Sequence, residues 1–163
     1  MRYFIGNWKM FGVPKSINIL NKINLFQSKD KNRNKYRVII TPPYTLIESY
    51  AKYFKNKKIS IGSQNCYQKD QFSSNTAAVS PYMLRSVGAQ YTLIGHSDNR
   101  AEGDSNDMLK DKVKYALKNN LKVVFCIGEN KFQKKNNQTF KVLKNQLNNV
   151  LEKKIHHNNI NHQ

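Results

Sequence analysis

The feature that most constrains this sequence is an alternation. Five short apolar runs are each followed by a stretch with helical spacing of apolar residues. Residues 3–6, 37–41, 58–62, 91–94 and 122–127 read as strands, with Val38-Ile39-Ile40 and Val123-Val124-Phe125 as their most apolar centres. Between and after them, residues 14–26, 44–54, 80–88, 107–118 and 138–153 space their Ile, Leu, Val, Tyr and Phe as one face of a helix. Pro14 and Pro81 suit first helical turns, Ser80 suits the cap before Pro81, and Gly88 suits a helix end. Strands that alternate with helices predict βα units around a parallel sheet. Strands buried on both faces should be continuous apolar runs, which the second and fifth resemble most. The polar run 64–76 reads as a long loop.

Periodicity alone leaves an open doubly wound sheet and part of a closed barrel equally possible. No Gly-rich dinucleotide fingerprint and no phosphate-binding P-loop follows any strand, which disfavours a nucleotide cofactor; no cofactor is expected. The 163 residues suit one compact domain. No run approaches the roughly 20 apolar residues of a membrane span, and the opening residues are too short an apolar run for a secretory leader, so a cytoplasmic protein is expected. Cys66 and Cys126 have no partner at metal-type spacing and read as reduced, half-buried thiols, with no metal site. The net charge of +18 invites a nucleic-acid reading. Lysines, however, are spread from Lys9 to Lys154 and asparagine rises with them, so compositional bias is the simpler account and nucleic acid is disfavoured as a partner. His156, His157 and His162 lie in a polar Asn- and His-rich tail, residues 156–163, which reads as frayed rather than metal-binding.

In α/β proteins functional groups gather beyond the carboxyl ends of the strands. Asn7, Trp8 and Lys9 follow the first strand, Gln64 and Asn65 the third, His96, Ser97 and Asp98 the fourth, and Gly128 and Glu129 the fifth. A lysine, a histidine and an asparagine on one face form a set that can stabilise a developing oxyanion. Singly, each has a plainer reading as a solvated cation, a structural imidazole or a turn residue; their shared position raises the functional one.

The ordered series Gly6-Asn7-Trp8-Lys9-Met10, Thr41-Pro42-Pro43, Gly62-Ser63-Gln64-Asn65, Val79-Ser80-Pro81-Tyr82-Met83-Leu84, Ile94-Gly95-His96-Ser97 and Cys126-Ile127-Gly128-Glu129 resembles the triosephosphate isomerase family over residues 1 to about 150. The resemblance implies an α/β fold of the TIM (β/α)8-barrel family. Here that means an incomplete barrel of about five parallel strands, with residues 1–155 as the partial domain. It implies interconversion of dihydroxyacetone phosphate and D-glyceraldehyde 3-phosphate through an enediolate, in glycolysis and gluconeogenesis. It casts His96 as an uncharged electrophile, for which this family is the worked case. Lys9 is the cation facing the oxygen, Asn7 a substrate-binding residue, and Asp98, Ser97, Cys126 and Glu129 are supporting groups. A homodimer is also implied.

Several positions depart from the family. The motif continues as Ser97-Asp98-Asn99-Arg100, so Asp98 is one methylene shorter than the usual Glu, which shortens its reach toward Lys9. Asn99 stands for an interface arginine, and Ala78 for the carboxylate of the interface loop, so both halves of one intersubunit ion pair are expected to be lost. A complete barrel needs about 250 residues. The catalytic glutamate, the lid and the later phosphate-gripping loops therefore have no counterpart in this sequence, and the chain is expected to be truncated and inactive alone. A split isomerase and a basic α/β binding protein without catalysis stay open beside the truncated-isomerase reading.

Overall fold

The computed structural model describes residues 1–151. Five strands run β1 (Arg2–Asn7), β2 (Tyr36–Thr41), β3 (Ile59–Ser63), β4 (Tyr91–Ile94) and β5 (Lys122–Phe125). They form one sheet in chain order, and every neighbouring pair is parallel. The helices are α1 (Ile17–Lys29), entered through a single 3-10 turn at Pro14–Ser16, α2 (Tyr44–Tyr53), α3 (Pro81–Ser86), α4 (Ser97–Ala101), α5 (Asn106–Lys118), α6 (Lys131–Lys135) and α7 (Thr139–Val150). The predicted βα alternation is present. The last helix ends at Val150, short of the expected Lys153, where Leu151 turns extended; the tail 156–163 and its three histidines lie outside the described residues.

Two short helices, α4 and α6, were not anticipated. Five residues are too few for a readable period. The α6 start nevertheless carried a signal: Asn130 accepts from the Gln133 N–H at 2.8 Å while Gln133 Oε1 accepts from the Asn130 N–H at 3.0 Å, a reciprocal capping box.

Register places the chemistry. Asn7 lies opposite Thr41, and Ile94 opposite Phe125, so the loops after these strands leave from one end of the sheet. Position in the sheet, more than local hydrophobicity, sets burial. All four residues of interior β4 are buried, whereas apolar β5, at an edge, is only half covered. At the opposite edge, β1 leaves Tyr3, Phe4 and Ile5 exposed. The core lies between the sheet and the helices, with Leu20, Ile40, Ile47, Tyr50, Leu84, Leu109 and Val113 all nearly or fully buried. Each such side chain contributes about 1.5–3 kcal/mol of burial. Gly62 lets β3 and β4 approach closely, since a Cβ there would meet the Tyr91 carbonyl oxygen at 2.9 Å.

Candidate active site

The loop after β1 is built around an unfavourable backbone. Lys9 has φ +52°, in the left-handed region that costs a non-glycine residue energy. Two side chains hold it there. The Lys9 N–H donates to Asn7 Oδ1 at 2.9 Å. The Gln64 Nε2 amide, from the end of β3, donates to the Lys9 carbonyl at 2.8 Å and to the Thr41 carbonyl at 2.9 Å. Further along, Gly12 at φ +111° packs so tightly under Trp8 that a Cβ would meet the indole at 2.7 Å. The Trp8 ring stands edge-on to Tyr50, whose hydroxyl donates to the Val13 carbonyl at 3.1 Å. The loop is thus fastened to α2 and to β3, and Lys9 is fixed by its surroundings rather than by its own preference.

His96 arrives from β4 by a different device. Gly95, at φ +78°, turns the chain so that His96 caps α4. The Asp98 N–H donates to His96 Nδ1 at 3.2 Å. An acceptor Nδ1 carries a lone pair, so the ring proton sits on Nε2, leaving that N–H to act as a donor. Arg100 locks the turn: Nε donates to the Gly95 carbonyl at 2.8 Å and Nη2 to the Cys126 carbonyl at 3.2 Å, tying the ends of β4 and β5 together.

The two halves meet through Asp98. Lys9 Nζ lies 3.0 Å from Asp98 Oδ2, and the same oxygen lies 3.6 Å from His96 Nδ1. Although Asp98 is one methylene shorter than the family's Glu, the loop brings its side chain within full hydrogen-bond distance of Lys9. The Lys9 ammonium, by donating to it, holds the Asp98 carboxyl below the usual carboxylate range. Both partners are half exposed, so the pair serves geometry more than stability.

Asn7, Lys9, His96 and Asp98 line one cleft of about 590 Å³, together with Gln64 and Asn65. Asn65 is held in turn: its Oδ1 accepts from the Cys66 N–H at 2.9 Å and from Lys112 Nζ at 3.1 Å. Lys112 is buried and reaches both Asp104 oxygens at 2.7 Å. Of the other expected residues, Ser97 begins α4, Cys126 contributes its carbonyl to Arg100, and Glu129 lies 3.5 Å from the Thr139 hydroxyl. None of these three lines the cleft. Both cysteines are free thiols, and burial pushes the Cys66 thiol up to about 12, which makes it inert. Among the described residues no cluster of side chains fit to hold a metal ion occurs, and no helix is long and apolar enough to cross a membrane. Strand-end reasoning named Gln64 without a role and did not single out Arg100. Both act on backbone carbonyls, which leave no pattern in a single sequence.

Comparison with known proteins bears on the family. The family profile described as TIM, triosephosphate isomerase, matches residues 2–161. The triosephosphate isomerase of Thermodesulfovibrio yellowstonii is 33% identical over 151 residues, 92% of this chain and 60% of that protein. That of Wolbachia pipientis wMel is 34% identical over 148 residues, 90% of this chain and 57% of that protein. The crystal structure of triosephosphate isomerase from Bartonella henselae superposes with a TM-score of 0.86 at 30% identity, covering 93% of this chain and 62% of that one. The chain thus spans about 60% of the length of these relatives.

Proposed function

Because this chain belongs to the triosephosphate isomerase family and forms an incomplete α/β TIM barrel of five parallel strands, we propose that it supplies the oxyanion side of a triosephosphate isomerase site. The observation that carries the proposal is the convergence of Lys9 and His96 in one cleft, bridged by Asp98.

The reaction removes a proton from the carbon next to a carbonyl, and negative charge collects on the carbonyl oxygen as the enediolate forms. Lys9 meets that charge with a fixed ammonium. Asn7 spends its Oδ1 on the Lys9 N–H, so its amide NH2 is the end suited to the substrate oxygen. His96 presents Nε2–H, because Nδ1 is occupied by the Asp98 backbone donor. An uncharged imidazole suits the step because the proton must move between two oxygens of similar basicity; this family is the worked case of such tuning. Preorganised donors of this kind typically contribute about 10²–10³ in rate each. The resemblance assigns the base that takes the carbon-bound proton to barrel units that the matched residues do not include. We place the protein in the cytoplasm, in glycolysis and gluconeogenesis. We assign it a weaker dimer than the resemblance implies, since Ala78 and Asn99 stand where the resemblance places both halves of an intersubunit ion pair, with no unpaired charge left behind.

The test is an isomerase assay of the chain with and without the part of the Bartonella henselae enzyme that lies beyond the matched region. Turnover is expected only from the mixture. A mixture that forms a complex and stays inactive would overturn the catalytic proposal and favour a binding role.

A further inference from the structure

Every neighbouring pair of strands is parallel, so the connectors 30–35, 54–58, 87–90 and 119–121 enter β2, β3, β4 and β5 from the end of the sheet opposite the Lys9–His96 cleft. Two of these connectors are strongly basic. Lys31, Arg33 and Lys35 lie in the first and Lys55, Lys57 and Lys58 in the second, all exposed. They stand side by side, because β2 and β3 are neighbours with Val38 opposite Ile59.

Lysine is spread along the whole sequence, but the fold does not leave its charge evenly balanced. Across the four connectors Asp30 is the only carboxylate. It is already engaged, accepting from the Asn32 N–H at 2.8 Å and the Tyr36 hydroxyl at 2.9 Å. The segments that leave the strands at the cleft end carry Asp70, Asp98, Glu102, Asp104 and Glu129. A uniform compositional bias would load both ends alike. Among the described residues Lys31, Lys35, Lys55 and Lys58 form no ion pair, whereas Lys9, Lys112 and Lys118 at other places do.

We propose that this basic face binds the phosphate backbone of a nucleic-acid duplex, without reading its sequence. Exposed cations with no carboxylate of their own can replace the counterions of phosphates, the main source of sequence-independent affinity. Asn32, Asn34 and Asn56 alternate with the cations and add neutral donors for phosphate oxygens. Neither connector exposes an apolar residue, since Phe54 is buried, so the face has nothing to insert into a bilayer. It offers no open platform for stacking unpaired bases either: the Tyr53 ring holds the Lys57 ammonium 3.6 Å from its centre. The face lies away from the cleft, so the inference does not depend on the isomerase reading.

The test titrates the full chain into a labelled RNA duplex of arbitrary sequence at several salt concentrations. Binding is expected, with log affinity falling against log salt at a slope of about −5, for about six phosphate contacts. An unrelated duplex should bind equally. Two triple variants then lose the same charge at different places. Lys31→Gln, Lys55→Gln and Lys58→Gln together should weaken binding by about tenfold or more and reduce the slope by about 3, one per cation removed. Lys131→Gln, Lys134→Gln and Lys135→Gln together, in α6 at the cleft end, should change affinity by less than about threefold. All six positions are exposed, so both variants should keep the parent's circular dichroism. Equal losses in the two variants would mean that binding follows net charge alone, and would overturn the proposal. So would no binding at low salt. Tighter binding to phosphatidylserine vesicles than to the duplex, abolished by the first variant, would also overturn it and assign the face to a membrane surface. The first variant should leave turnover of the isomerase mixture unchanged, so failure here leaves the catalytic proposal standing.

Discussion

Gln64 and Lys9 are far apart in sequence, yet the Gln64 side-chain amide donates to the Lys9 carbonyl at 2.8 Å and holds Lys9 at φ +52°. The same NH2 group also serves the Thr41 carbonyl, so one side chain joins the exits of β1, β2 and β3. Gln64→Leu removes the donor from both carbonyls. It should cost about 1–3 kcal/mol in urea unfolding, the range for stranded polar groups. It should also lower turnover of the assembled enzyme, because Lys9 can then relax out of its left-handed conformation. A variant with unchanged stability and turnover would show that Lys9 needs no clamp.

Gly12→Ala should destabilise the same loop from its other side. The added methyl meets the Trp8 ring at 2.7 Å, and the φ of +111° is itself strained for alanine. A loss of about 1–3 kcal/mol is expected. The protein has one tryptophan, so its fluorescence reports on this loop directly. A shift of emission toward that of solvent-exposed indole should accompany the loss.

The buried Lys112–Asp104 pair supports the site through Asn65. Asp104→Ala leaves an ammonium buried with only an amide oxygen as partner, and should cost about 3–5 kcal/mol. Replacing both residues with apolar ones should be much milder. The double-mutant cycle in chemical denaturation measures the difference, and additive single losses would contradict the pairing.

Sequence reasoning reached the strands, the main helices and the convergence of Asn7, Lys9 and His96, because each depends on local periodicity or on the rule that loops after parallel strands share one end. It placed Gln64 at a strand end but did not reach its role or that of Arg100, whose work is on carbonyls brought near only by the fold. Nor did it foresee that Asp98 would reach Lys9, since side-chain length says nothing of where two loops lie. The weak cover over β5 is likewise a property of sheet position: Val123 and Val124 look like core residues until the strand is seen to be an edge.

Acid should weaken the link between the two halves of the cleft. The Lys9 hydrogen bond lowers the folded carboxyl of Asp98 below its ordinary value of 3.8. The contribution of the pair is therefore fully present above that value and fades as pH falls through the lower folded one. Carboxyl NMR titration of Asp98 should show the depressed midpoint, and Lys9→Met should return it toward 3.8. Added salt should narrow the difference, because both groups are half exposed.

The central claim is that Lys9 and His96 act on one oxygen. It is tested most directly by single-turnover isomerisation in the complex of this chain with the unmatched part of the Bartonella henselae enzyme, comparing Lys9→Met, His96→Gln and the double variant. Each single change should slow the chemical step by about 10²–10³, and the double change should cost less than the product of the two. Wild-type rates in either single variant, once binding of the complement is shown to be intact, would contradict the account.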